Sequence, residues 1–151
     1  MKNVQAHLEK AIKINPKYVD AHHELALILI DKGEYELSKE HLLKVIKIDP
    51  SFMKAHFHLA LLFKEIKENK KSKDFFMKAI ELDPNFADAY YHYGLLLSDM
   101  EDYEDAKNNL EKASDLDQNH FNSYFHLAKL LIDPEDYEKA KKNYLTAIDI
   151  D

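Results

Sequence analysis

Cysteine and tryptophan are absent from this 151-residue chain, and glycine occurs only twice, at Gly33 and Gly94. Without cysteine there is no disulfide, no thiolate nucleophile and no cysteine-ligated zinc or iron-sulfur site. Two isolated glycines build neither a phosphate-cradling loop nor a G-x-G-x-x-G dinucleotide turn, so the common nucleotide-binding classes drop out. Basic charge is short as well. The 21 Lys and Arg against 28 Asp and Glu leave a formal net charge of -7, the opposite of the footprint that duplex DNA or an anionic membrane surface calls for. The longest apolar run, residues 25–30, is far below the roughly 20 residues of a spanning helix. No signal-peptide apolar region follows Met1-Lys2-Asn3. The expectation is a cytoplasmic chain whose partners are proteins or peptides, with no nucleic acid and no membrane.

What is present is periodic. Pro16, Pro50 and Pro84 stand 34 residues apart, each after a similar pair: Ile14-Asn15, Ile48-Asp49, Leu82-Asp83. Gln118 takes the next mark in phase, after Leu116-Asp117. The stretches starting at Ala21, Ala55, Ala89 and Ser123 share one register, so the whole unit repeats and not its proline alone. Each unit carries two helical patterns. Tyr90, Tyr93, Gly94 and Leu97 follow i, i+3, i+4, i+7, and Ala106, Leu110 and Ala113 follow i, i+4, i+7. Asp-Pro closes one helix, Ser51, Asn85 or Asn119 is placed to cap the next, and polar turns such as Lys32-Gly33-Glu34 separate the partners. Pro134 is out of phase, at the turn inside the last unit, where proline in a first helical turn costs little.

These columns resemble the tetratricopeptide repeat family, whose period and W-x2-L-G-x2-Y, A-x3-F, P signature they follow along the whole chain. The leucine column reads Leu25, Leu59, Tyr93, Leu127, and the small column after it reads Ala26, Ala60, Gly94, Ala128. The tryptophan column holds His22, His56, Tyr90 and Tyr124. In the second helix, small Ser38, Ser72, Ala106, Ala140 alternate with large Leu42, Phe76, Leu110, Tyr144. The resemblance implies an all-α solenoid of antiparallel helix pairs, a right-handed superhelix of about four and a half repeats. Residues 1–16 supply the second helix of a partial repeat, and 17–50, 51–84, 85–118 and 119–151 are repeats of a single solenoid. The expectation is a fragment of a longer protein, with the stripe Val4, Leu8, Ala11, Ile12 missing its repeat partner and open to self-association.

The resemblance also implies a non-enzymatic module that binds a peptide or partner segment in a concave groove lined by first helices. Off the core stripe, Phe57, His58, Leu61, then Tyr91, His92, Leu95, then Phe125, His126, Lys129 recur in register where a solvated face would carry mostly charges. Those nine are the candidate groove residues, and padding between adjacent first helices is the plain structural alternative. A clamp for chaperone-tail carboxylates, as in some relatives, does not fit. Its lysine column holds His23, Phe57, Tyr91 and Phe125, its asparagine columns hold Leu27, Leu61, Leu95, Lys129 and Glu24, His58, His92, His126, and only Lys54 matches. In the superhelix of O-linked sugar transferases an asparagine ladder grips extended peptides, and His58, His92 and His126 occupy its column. The expected ligand is apolar with some basic character, since Asp20, Glu24, Asp31, Asp88 and Asp99 make the rim negative.

Nine histidines raise the question of metal. Ligands on one helix belong at i, i+4, whereas His22-His23 are adjacent and His56-x-His58 point apart. Columns on successive helices, with axes roughly 8–10 Å apart, read as too distant for a site. Asp88 with His92 is the best pair. No metal and no cofactor is expected, and no catalytic residue, because Ser38, Ser72 and Ser123 sit in packing columns. If all nine histidines titrate near their reference pKa of about 6.5, the formal charge moves from -7 toward roughly +2 by pH 5. The readings held beside the binding module are a structural scaffold or self-assembling unit, and a substrate-recruiting arm of a larger enzyme.

Overall fold

The computed structural model describes residues 2–130 and 137–150, with side chains over 4–130 and 139–149. All regular structure among them is helical: α1 Lys2–Ile14, α2 Val19–Asp31, α3 Tyr35–Ile48, α4 Met53–Glu65, α5 Asn69–Leu82, α6 Ala87–Asp99, α7 Tyr103–Leu116, α8 Phe121–Leu130 and α9 Tyr137–Ile150. The expected turn at Pro134 lies outside the described residues. Two compact units result, residues 1–82 with α1–α5 and residues 83–151 with α6–α9. The division falls at the third proline mark. Within each, consecutive helices pack as antiparallel pairs, and the fold is an all-α solenoid of such pairs.

The same local chemistry recurs along the described residues. Where a second helix ends, Asn15, Asp49, Asp83 and Asp117 each accept, through Oδ1, the backbone N–H two residues on, at 3.0–3.1 Å. This Asx turn bends the chain toward the next first helix. It also corrects the expected caps. Ser51, Asn85 and Asn119 are the donors in these turns, and α4 and α6 start after Phe52 and Phe86, with no side-chain cap bond. Where a first helix ends, Glu34, Glu68 and Asp102 send their N–H back to Leu29, Phe63 and Leu97 carbonyls at 2.8–2.9 Å. The residue before each donor, Gly33, Lys67 or Glu101, is left-handed, with φ of +75°, +64° and +64°. That is a Schellman stop, and among these three turns the first is the one that places a residue with no Cβ penalty there.

First and second helices bury different amounts. In α3 only Ser38, Leu42 and Val45 are buried, and in α5 only Ser72, Phe76 and Ala79, one narrow stripe each. In α4, by contrast, Ala55, His56, Phe57, Leu59, Ala60, Leu62 and Phe63 are all buried, so the helix is covered nearly all round. The first unit's core joins Ala26, Leu42, Val45, Ala55 and Leu59, with Phe75 and Ile46 packed on it. The second unit's core joins Tyr91, Leu110, Ala113 and Leu127, flanked by Tyr90, Leu95 and Leu130. Small columns let the paired helices touch. Ser38 Oγ donates to the Ala26 carbonyl at 2.9 Å and Ser72 Oγ to that of Ala60 at 2.7 Å. At Gly94 an added Cβ would meet Leu110 Cγ at 2.8 Å and the Ala106 carbonyl at 3.1 Å.

Candidate functional site

In the first unit the site residues lie on α4, facing α2. Phe57 is 7% exposed, its ring edge-on to Phe76 at 6.1 Å and to His58 at 5.4 Å, while His58 and Leu61 are half-buried. His58 Nδ1 lies 3.1 Å from Nε2 of His23 on α2. Helix axes too distant for a shared site were expected, yet imidazoles reach across the gap between first helices and meet. Burial holds His58 down at about 4, reinforced by the charge of His23, and burial lowers His23 against the pull of Glu24. The neighbouring His22 forms a second dyad. Its Nε2–H must donate to the Pro16 carbonyl at 3.0 Å, so its Nδ1 accepts from Nδ1–H of His41 at 2.8 Å. His56 donates in the same way to the Pro50 carbonyl at 2.9 Å. His22 and His56, both buried, therefore each serve as donors to a turn carbonyl. His41 is half-buried, and burial with the charge of His22 lowers its pKa.

In the second unit the site spans α6 and α8. Tyr91 is 8% exposed and sits among imidazoles, its ring 4.9 Å from His92, 4.9 Å from His120 and 5.6 Å from His126. Burial, with the Asp88 charge second, raises its phenol above the ordinary value. Phe125 stays open at 37%, edge-on to His126 at 5.3 Å and to Tyr144 at 6.0 Å, with Lys129 Nζ 5.7 Å from its ring. His126 Nδ1–H donates to the Asn122 carbonyl at 2.9 Å. Leu95, His126 and Lys129, joined by Ser98, Leu110 and Leu130, line a cavity of about 180 Å³.

Of the nine residues read from the sequence, three thus share one cavity. Phe57 and Tyr91 spend most of their surface on packing, and Phe125 is the aromatic that keeps a substantial open face. Spacing alone pointed to neither Ser98 nor Leu130, whereas His23 stands in the column of Phe57, Tyr91 and Phe125. The signal for Leu130 was its position four residues after His126, one turn along the same face.

Asp88, His120 and Ser123 form a chain that imitates a nucleophile, a base and its orienting acid. His120 Nε2 lies 3.2 Å from Asp88 Oδ1, and Nδ1 lies 2.8 Å from Ser123 Oγ. Ser123 is fully buried, however, and its backbone N–H donates to the same Nδ1 at 3.2 Å. A carbonyl substrate has no path to that hydroxyl, and the chain works as a cap on the first turn of α8. Asp88, which the sequence pairs with His92, reaches His120, the residue before α8. Among the described residues no three His, Asp or Glu side chains gather as a metal site, and no helix is long and apolar enough to cross a membrane.

Two sequence profiles, each described as Tetratricopeptide repeat, match the chain, one over residues 7–40 and 75–108 and the other over 54–86 and 121–151. No curated protein matches it. Among solved structures, a crystal structure of MamA superposes with a TM-score of 0.87 at 23% identity, covering 97% of this chain and 85% of its own. MamA 41-end from Desulfovibrio magneticus RS-1 gives 0.84 at 20% identity, covering 97% and 82%. Pseudomonas aeruginosa PilF gives 0.89 at 24% identity, covering 95% of this chain and 66% of its own. At these identities the likeness is one of fold.

Proposed function

The chain belongs to the tetratricopeptide repeat family, and from that premise we propose that it is a non-enzymatic interaction module that takes a peptide or partner segment on its first helices. The family match supports a protein-interaction or scaffold role, and the finer reading rests on one observation. Leu95, His126 and Lys129, chosen from the repeat register alone, line a single cavity on the second unit. An apolar floor with a few convergent polar groups is the ordinary composition of a recognition site. Phe125 beside it offers an open aromatic face, the kind of anchor that carries binding energy.

Panning a displayed random-peptide library against the whole chain tests this. Enriched peptides that bind the wild type and lose binding to Phe125→Ala with Lys129→Ala, at unchanged helical circular dichroism, support it. Failure to enrich any peptide, or binding indifferent to both substitutions, overturns it.

A scaffold reading is favoured by a different observation: Ile14 on α1 is 77% exposed, and Leu145 and Ile148 on α9 are 52% and 68% exposed. Apolar residues this open invite association. Sedimentation of wild type and of Ile14→Lys with Ile148→Lys separates the two readings, because concentration-dependent mass lost only in the variant favours the scaffold.

A further inference from the structure

The geometry points to a specific occupant for the second unit's cavity: one branched or thioether side chain, of leucine, isoleucine or methionine size, from an extended peptide whose backbone N–H is accepted by His126 Nε2. This rests on the binding-module reading and names what that site takes. Size decides the first half. Small-molecule and cofactor sites run to roughly 300–1,000 Å³, and at about 180 Å³ this cavity is too small for one. An apolar cavity of roughly 150 Å³ admits a benzene-sized group, the scale of one large aliphatic side chain. Leu95, Leu110 and Leu130 supply the apolar walls.

The second half follows from a fixed tautomer. Because the Asn122 carbonyl can only accept, Nδ1 of His126 carries the proton, and Nε2 of the neutral ring is left as an acceptor. Among the lining residues His126 thus has one free acceptor, Lys129 is a cationic donor and Ser98 carries a hydroxyl. A peptide unit presents the complementary set, an N–H for His126 and a carbonyl for Lys129, on either side of the side chain that fills the floor. A carboxylate or phosphate occupant would satisfy Lys129 and face the bare lone pair of His126 with another.

The probe is N-acetyl-L-leucine N-methylamide, titrated into the whole chain with methyl and amide NMR detection. It is expected to shift the Leu95, Leu110 and Leu130 methyls, with the alanine analogue binding several-fold more weakly. His126→Gln, which keeps an acceptor near Nε2, retains binding, whereas His126→Leu loses roughly tenfold, the worth of one hydrogen bond near 1.4 kcal/mol. Isovalerate, the same isobutyl group on a carboxylate, is expected to bind less well. Equal shifts from the leucine and alanine probes, no shift at these three leucines up to the solubility limit, or tighter binding of isovalerate would each overturn the inference. Library peptides that still bound elsewhere on the first helices would leave the broader reading standing.

Discussion

His23 Nε2 and His58 Nδ1 lie 3.1 Å apart, joining the first helices of two successive repeats through a contact with room for one proton. Protonating both rings would set two N–H groups against each other beside Lys54, with Glu24 and Asp20 on the His23 side as the nearby counter-charges. The folded state therefore resists the charge. His58 titrates at about 4 when folded, against about 6.5 in an unfolded chain. Between those values the unfolded chain binds more protons, so stability is fully present above about pH 6.5 and is lost as pH falls toward 4. The thermal midpoint should drop over that window, and His58→Gln should flatten the drop. A midpoint independent of pH there would contradict the dyad. The expected charge swing toward roughly +2 by pH 5 is correspondingly smaller, since His58 stays neutral there and His23 and His41 are also lowered.

Gly94→Ala sets two effects against each other. Alanine gains about 1 kcal/mol of helix propensity over glycine. Its Cβ, however, lands 2.8 Å from Cγ of the fully buried Leu110 and 3.1 Å from a backbone oxygen that cannot yield. Overpacking of this kind costs about 1–3 kcal/mol. A net loss of stability in urea is expected, shrinking in a Leu110→Ala background where the clashing atom is gone.

Lys67 and Glu101 hold left-handed backbone that suits Gly33 in the first repeat. Replacing either by glycine should stabilise by about 0.5–1 kcal/mol, the strain relieved exceeding the entropy glycine adds. Gly33→Ala should do the reverse, although nothing lies within 4 Å of its added Cβ. Denaturant midpoints of the three variants read this directly.

Ser72→Ala should cost about 1 kcal/mol, the net value of a buried hydrogen bond, here the 2.7 Å bond from Oγ to the Ala60 carbonyl. Steric fit is not at issue, because Ala106 and Ala140 fill the same column in the second unit. Ser38→Ala should cost as much, and a cost near zero in both would mean the hydroxyls add nothing to packing.

The helix pairs were legible because the 34-residue period repeats proline, small-residue and leucine columns together, and packing in a solenoid depends on those columns. The Asx turns were half legible: the Asn and Asp residues at 15, 49, 83 and 117 were visible as helix enders, while their role as acceptors emerged only from the backbone path. Tyr91 shows what period alone does not give. It falls outside the core stripe of a single helix, but α6 is covered on several sides, and the ring ends among His92, His120 and His126. The cavity was legible only in its members. Leu95, His126 and Lys129 were named from their columns, but their convergence depends on the rotation of α8 against α6, which no residue pattern within one helix encodes.

Chemical-shift mapping of a panned, leucine-containing peptide on the isotope-labelled chain tests the central claim most directly. The account predicts that saturating shifts cluster at residues 95, 98, 126, 129 and 130 and disappear in the Phe125→Ala, Lys129→Ala variant. Shifts confined to the second-helix faces of α7 and α9, with those residues unmoved, would contradict it.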